Sequence, residues 1–81
     1  MIVSIRLFAR AKDLAGAEAI FLELQPDATV ADLRRLLGLK VPALAGLLAR
    51  SALAVNDEFA GDSQPVPPDA AIALLPPVSG G

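Results

Sequence analysis

The chain has 81 residues, 54% of them hydrophobic and 20% charged, with a net charge of −2 and neither cysteine nor histidine. That length suits one small domain around a single core. The composition excludes disulfide frameworks, thiolate metal sites and histidine general-base chemistry, and the absence of a basic stripe argues against nucleic-acid binding.

From the amino end, the stretch IVSIRLF alternates, with Val3, Ile5 and Leu7 on one face and Ser4 and Arg6 on the other, as in a half-buried strand. Ile2 and Phe8 place apolar groups on the otherwise polar face. The segment ARAKDLAG predicts a short helical turn closed by Gly16 in the left-handed conformation. In EAIFLEL, Ile20, Leu22 and Leu24 point one way and Ala19, Phe21 and Glu23 the other. The short connection between these two strands predicts an antiparallel pair.

Thr29 then offers an N-cap with Asp32 three residues on, the pattern of a capping box. Val30, Leu33, Leu36 and Leu37 share one helical face, and Gly38 is expected to end the helix. A second helical turn starts at Pro42, with Leu44, Leu47 and Leu48 inward. LAVN predicts a brief strand and NDEF a turn in which Asn56 or Asp57 tolerates positive φ. GDSQPVPPDA is loop, and AIALL closes the chain as a strand with Ile72 and Leu74 inward.

The order strand, strand, helix, strand, strand requires the helix to cover one face of the sheet. A right-handed crossover returns the last strand parallel to the first, at the sheet centre. The expected fold is α+β, a β-grasp (ubiquitin-like) roll with a mixed sheet and one main helix packed across one face. Residues 1–75 form the domain, and 76–81 a flexible Gly-Gly tail.

The side chains offer little chemistry. Ser4, Ser51, Ser63 and Ser79 have no histidine to activate them. Asp57, Glu58 and Asp62 lack an EF-hand pattern and are expected to be solvated turn residues. Arg34 and Arg35 are expected on a solvated helix face, and the scattered glycines form no phosphate loop. What remains is the carboxyl end, PPVSGG. Pro76 and Pro77 favour an extended backbone that lifts the chain off the sheet. Gly80 and Gly81 have no Cβ and suit a narrow channel. Taken alone, the same two residues also fit a frayed end or a cloning remnant.

Taken together, IRLFARAKDLAG, AVNDEF and PPVSGG after the AIALL strand closely resemble the molybdopterin synthase small subunit, the MoaD family of ubiquitin-like sulfur carriers, over essentially the whole chain. The resemblance implies that a ubiquitin-activating-like adenylyltransferase uses ATP to adenylate Gly81. A sulfur donor then converts it to a thiocarboxylate, which gives sulfur to cyclic pyranopterin monophosphate to form the molybdopterin dithiolene. It implies a channel in the large synthase subunit for Pro76, Pro77, Val78, Ser79, Gly80 and Gly81, a heterotetrameric complex, catalytic side chains on the large subunit, and no permanently bound cofactor or metal. Phe8 and Leu75, on the face away from the helix and beside the tail, are the expected docking residues. Two other functions fit the same residues: a sulfur carrier for thiamin thiazole or a tungsten-pterin route, and a ubiquitin-like interaction module without sulfur chemistry. No apolar run is long enough to span a bilayer, and MIVSIRLFAR lacks the features of a secretory signal. A cytoplasmic protein without membrane partners is therefore expected.

Overall fold

The computed structural model describes residues 1–77. In chain order its elements are β1 (Ile2–Leu7), α1 (Ala9–Ala15), β2 (Ala19–Glu23), α2 (Val30–Lys40), a 3-10 turn (Pro42–Leu44), α3 (Ala45–Leu48), β3 (Ala52–Val55), β4 (Glu58–Phe59) and β5 (Ala71–Leu75). The strands form one sheet in the order β2-β1-β5-β3-β4. As expected, β1 and β2 are antiparallel and β5 runs parallel to β1, with Ile5 opposite Ile72 and Leu7 opposite Leu74. On its other side β5 pairs antiparallel with β3, so the last strand is the middle one.

Alternation decides which sheet face is buried. Val3, Ile5, Leu7, Leu53, Ile72 and Leu74 turn inward and join Val30, Leu33 and Leu37 of α2 in one core. Leu44, Leu47 and Leu48 complete it, as the proline-initiated turn predicted. Each such side chain, fully buried, contributes about 1.5–3 kcal/mol relative to exposure.

Local signals set the boundaries. Gly16 closes α1 at φ 69°, its N–H donating to the Lys12 carbonyl. Thr29 caps α2 in a reciprocal box: its Oγ1 accepts from the Asp32 N–H at 3.3 Å, and Asp32 Oδ2 accepts from the Thr29 N–H at 2.9 Å. The Thr29 backbone and then its hydroxyl stabilise the ionised Asp32 carboxyl and hold it below its ordinary 3.8. The next two amides of the first turn, Val30 and Ala31, donate to the Gln64 and Asp62 carbonyls of the long loop. Both Asn56 (φ 52°) and Asp57 (φ 69°) adopt left-handed conformations, the combination a two-residue hairpin turn requires.

Three sequence expectations change. Helix α2 does not end at Gly38 but continues to Lys40. Gly38 instead marks the approach of α3, where an added Cβ would lie 3.3 Å from Leu48 Cδ1. The NDEF stretch is more than a turn, because it reverses β3 into β4. Finally, Arg34 is not a solvated side chain. Its Nη1 donates to the Leu48 and Ser51 carbonyls, and its Nε donates to Asp62 Oδ1 at 3.3 Å. Arg35 alone keeps the exposed position expected for the pair.

Candidate functional site

The fold delivers residue 75 at one end of the central strand, flanked by β1 and β3. Because Leu74 points into the core, Leu75 and Ala73 face the side away from α2. Phe8 follows β1 at the same level, in extended conformation (φ −128°, ψ 154°). Ala9 then takes φ 52°, a sharp reversal that starts α1 and leaves Phe8 on the outer face. Such a left-handed alanine is disfavoured by about 1–2 kcal/mol.

Phe8, Ala54, Asp57, Phe59, Ala73 and Leu75 line one shallow hollow on that outer face. Phe8 is 40% exposed and Phe59 76% exposed. Leu75 and Pro76 are half-buried and Pro77 is exposed, so the apolar surface continues to the root of the tail. The Arg6 guanidinium stands over the Phe8 ring, 5.8 Å from its centroid, close enough for a cation–π contact.

Phe8 and Leu75 are thus brought together as their register implied. Phe59 was missed. It belongs to the hollow because the Asn56-Asp57 turn places it opposite Ala54, which in turn pairs with Ala73. The hairpin signature was visible in NDEF, yet a strand of two residues is too short to show a period. Pro76 and Pro77 leave the end of β5, whereas Val78, Ser79, Gly80 and Gly81 lie outside the described residues.

Elsewhere the polar groups serve the fold. Asp62 binds Arg34, and Ser51 Oγ donates to the Leu47 carbonyl at 2.7 Å. Among the described residues no three carboxylates converge as a metal cluster. No helix among them is long and apolar enough to cross a membrane.

A five-stranded mixed sheet wrapped on a helix, with its centre strand leading to the carboxyl end, defines a ubiquitin-like β-grasp protein. A model of the ThiS family matches residues 5–81, and the chain belongs to that family. The molybdopterin synthase sulfur carrier subunit of Dictyostelium discoideum is 39% identical over 80 residues, 95% of this chain and 93% of that one. Its counterpart from Arabidopsis thaliana is 34% identical over 79 residues, 98% of this chain and 82% of that one. These relatives agree with the resemblance seen in FARAKDLAG and PPVSGG. Among solved structures, SAMP1 of Haloferax volcanii superimposes with a TM-score of 0.89 at 28% identity, covering all of both chains. A complex of subunits 1 and 2 of molybdopterin-converting factor from Helicobacter pylori contains a chain with a TM-score of 0.71 and 30% identity, again covering all of both.

Proposed function

We propose that this protein is the sulfur-carrier subunit of a molybdopterin synthase and that its reactive group is the Gly81 carboxylate. The observation that carries the proposal is the near full-length similarity to two molybdopterin synthase sulfur carrier subunits, with a family match reaching residue 81. The poverty of side-chain chemistry supports it, since a carrier needs a terminus and a docking face.

A carboxylate is a poor electrophile. Attack of Gly81 on the α-phosphorus of ATP, catalysed by a ubiquitin-activating-like adenylyltransferase, releases pyrophosphate and leaves an acyl-adenylate. Sulfide delivered by a sulfur donor attacks that carbonyl carbon, AMP departs, and the terminus becomes a thiocarboxylate. The tail Pro76, Pro77, Val78, Ser79, Gly80 and Gly81 then enters a channel of the large synthase subunit, where its sulfur bonds to cyclic pyranopterin monophosphate and water cleaves the Gly81 carbonyl–sulfur bond, returning the carboxylate. The dithiolene needs two sulfurs, which suits two carriers on a dimeric large subunit. Phe8 and Leu75, with Phe59, form the docking face that both partners use.

Intact-mass measurement tests the proposal. Incubation with the activating enzyme, ATP and a sulfur source should add the mass difference between sulfur and oxygen, confined to the C-terminal peptide. A chain whose mass stays unchanged under conditions that load a related carrier would leave only the interaction-module alternative. A loaded chain that gives sulfur to a thiazole synthase and not to the pterin would reassign the pathway.

A further inference from the structure

The net charge of −2 conceals an uneven distribution of charge over the surface. Among the described residues the ion pairs are Lys12–Glu18, Arg34–Asp62 and Arg35–Asp32. The side chains outside these pairs sort by position along the sheet. Glu23 sits opposite Ile2, and Glu58 opposite Val55 beside the Asn56-Asp57 turn. Asp69 precedes Ala71, where β5 begins, and Asp27 follows β2. All five carboxylates (Glu23, Asp27, Asp57, Glu58 and Asp69) are exposed; Glu23, Asp27, Glu58 and Asp69 lie at the end remote from the tail, whereas Asp57 also lines the outer hollow with Phe8 and Leu75. The amino-terminal ammonium, donating to the Leu24 carbonyl, and Lys40, donating to the Phe21 carbonyl level with the start of β5, are the counter-charges there.

The opposite end is basic. Arg10 lies in the first turn of α1, which begins just past the Leu7–Leu74 pair. Arg50 lies two residues before Ala52, which pairs with Leu75. The two arginines therefore bracket the root of the tail from the β1 and β3 sides of β5, and both are exposed. Arg6 adds a third cation on the outer face beside Phe8. Among the described residues, Asp13 on α1 and Asp57 in the outer hollow are unpaired carboxylates in this region.

Opposed charge at the two ends turns a molecule as it diffuses in a partner's field, and such steering raises association rates by about 10- to 1000-fold. We infer that an acidic rim around the tail-accepting channel of the large synthase subunit attracts Arg6, Arg10 and Arg50 and draws the carrier in tail-first. This inference rests on the carrier function proposed above. Arginine suits the task, because it stays protonated and offers no nucleophile to an activated Gly81 beside it.

Stopped-flow association of the purified full chain with the purified large subunit provides the test. For the parent, the association rate should fall as ionic strength rises, since screening shortens the field. The double variant Arg10→Glu/Arg50→Glu should associate about tenfold more slowly at low salt, with a near-parental dissociation rate and melting curve. Arg10→Gln/Arg50→Gln should fall between the two, which covers the chance that the reversal disturbs folding. Glu23→Gln/Asp69→Asn, at the remote end, should associate at or above the parental rate. A parental rate indifferent to salt, or a reversal variant that associates as fast as the parent, overturns the inference while leaving the carrier function intact. Failure of every chain, parent included, to bind the large subunit overturns both.

Discussion

The Arg34 guanidinium reaches from the middle of α2 to the Ser51 carbonyl, 2.9 Å away, at the entrance to β3. The same group holds the Leu48 carbonyl and Asp62, so one side chain fastens the end of α3, the start of β3 and the long loop to the central helix. With 22% of its side chain exposed, these bonds are partly withdrawn from water.

Arg34→Ala removes its hydrogen bonds to the Ser51 carbonyl and the Asp62 carboxylate and leaves the Leu48 carbonyl with the Ser51 N–H. Charge-assisted hydrogen bonds contribute about 1.5–3 kcal/mol, and the variant should lose that much in urea unfolding, a fall on the order of 10 °C in melting temperature. Lysine cannot span three acceptors with a planar fork, so Arg34→Lys should recover less than half. Wild-type stability in Arg34→Ala would mean that the side chain is as solvated as its neighbour Arg35.

Truncation of Gly81, or addition of one residue after it, should abolish thiocarboxylate formation and leave circular dichroism and melting unchanged. Gly80→Ala and Gly81→Ala should fold normally and lose sulfur transfer, because a Cβ would obstruct entry to the narrow channel proposed above. A thiocarboxylate appearing on the truncated chain would refute Gly81 as the carrier residue.

For the hollow, Phe8→Ala and Phe59→Ala should each weaken binding to the large subunit and to the activating enzyme by about 1–3 kcal/mol, measured by titration calorimetry. Both rings are largely outside the core, so melting should move little. Normal affinity combined with a large drop in stability would show that the rings support the sheet instead of docking.

The capping box predicts a pH signature. Asp32 has a lowered pKa in the folded chain, first through its hydrogen bond from the Thr29 backbone. A depressed carboxylate stabilises the fold fully above its ordinary 3.8 and loses that effect as pH falls through the lowered folded value. Asp32→Asn should therefore reduce stability at neutral pH and flatten its decline in acid. Thr29→Ala should remove about 1 kcal/mol at neutral pH. An Asp32→Asn chain with an unchanged acid unfolding profile would show that the box carries no linkage.

Much of this was legible in the sequence because the signals are local. Val3, Ile5 and Leu7 announce their face by a period of two, and Thr29 with Asp32 announces a helix start by spacing. What escaped depends on distant partners. Arg34 looks like any helical cation until the chain folds Leu48, Ser51 and Asp62 around it. Gly38 has the residue type of a helix stop, but its role is set by Leu48 on another helix. Phe59 follows acidic turn residues and gains its neighbours only through the register of β4 on β3.

The position of β5 has a consequence for how the protein is made. Among the described strands it is the last to be synthesised and the one that joins the β1–β2 hairpin to the β3–β4 hairpin. On the ribosome the earlier part of the chain holds two ribbons with no edge in common, each marginal alone. The sheet closes only when Ala71–Leu75 has left the exit tunnel. A chain cut short before β5 therefore cannot assemble the hollow that Phe8, Phe59 and Leu75 line.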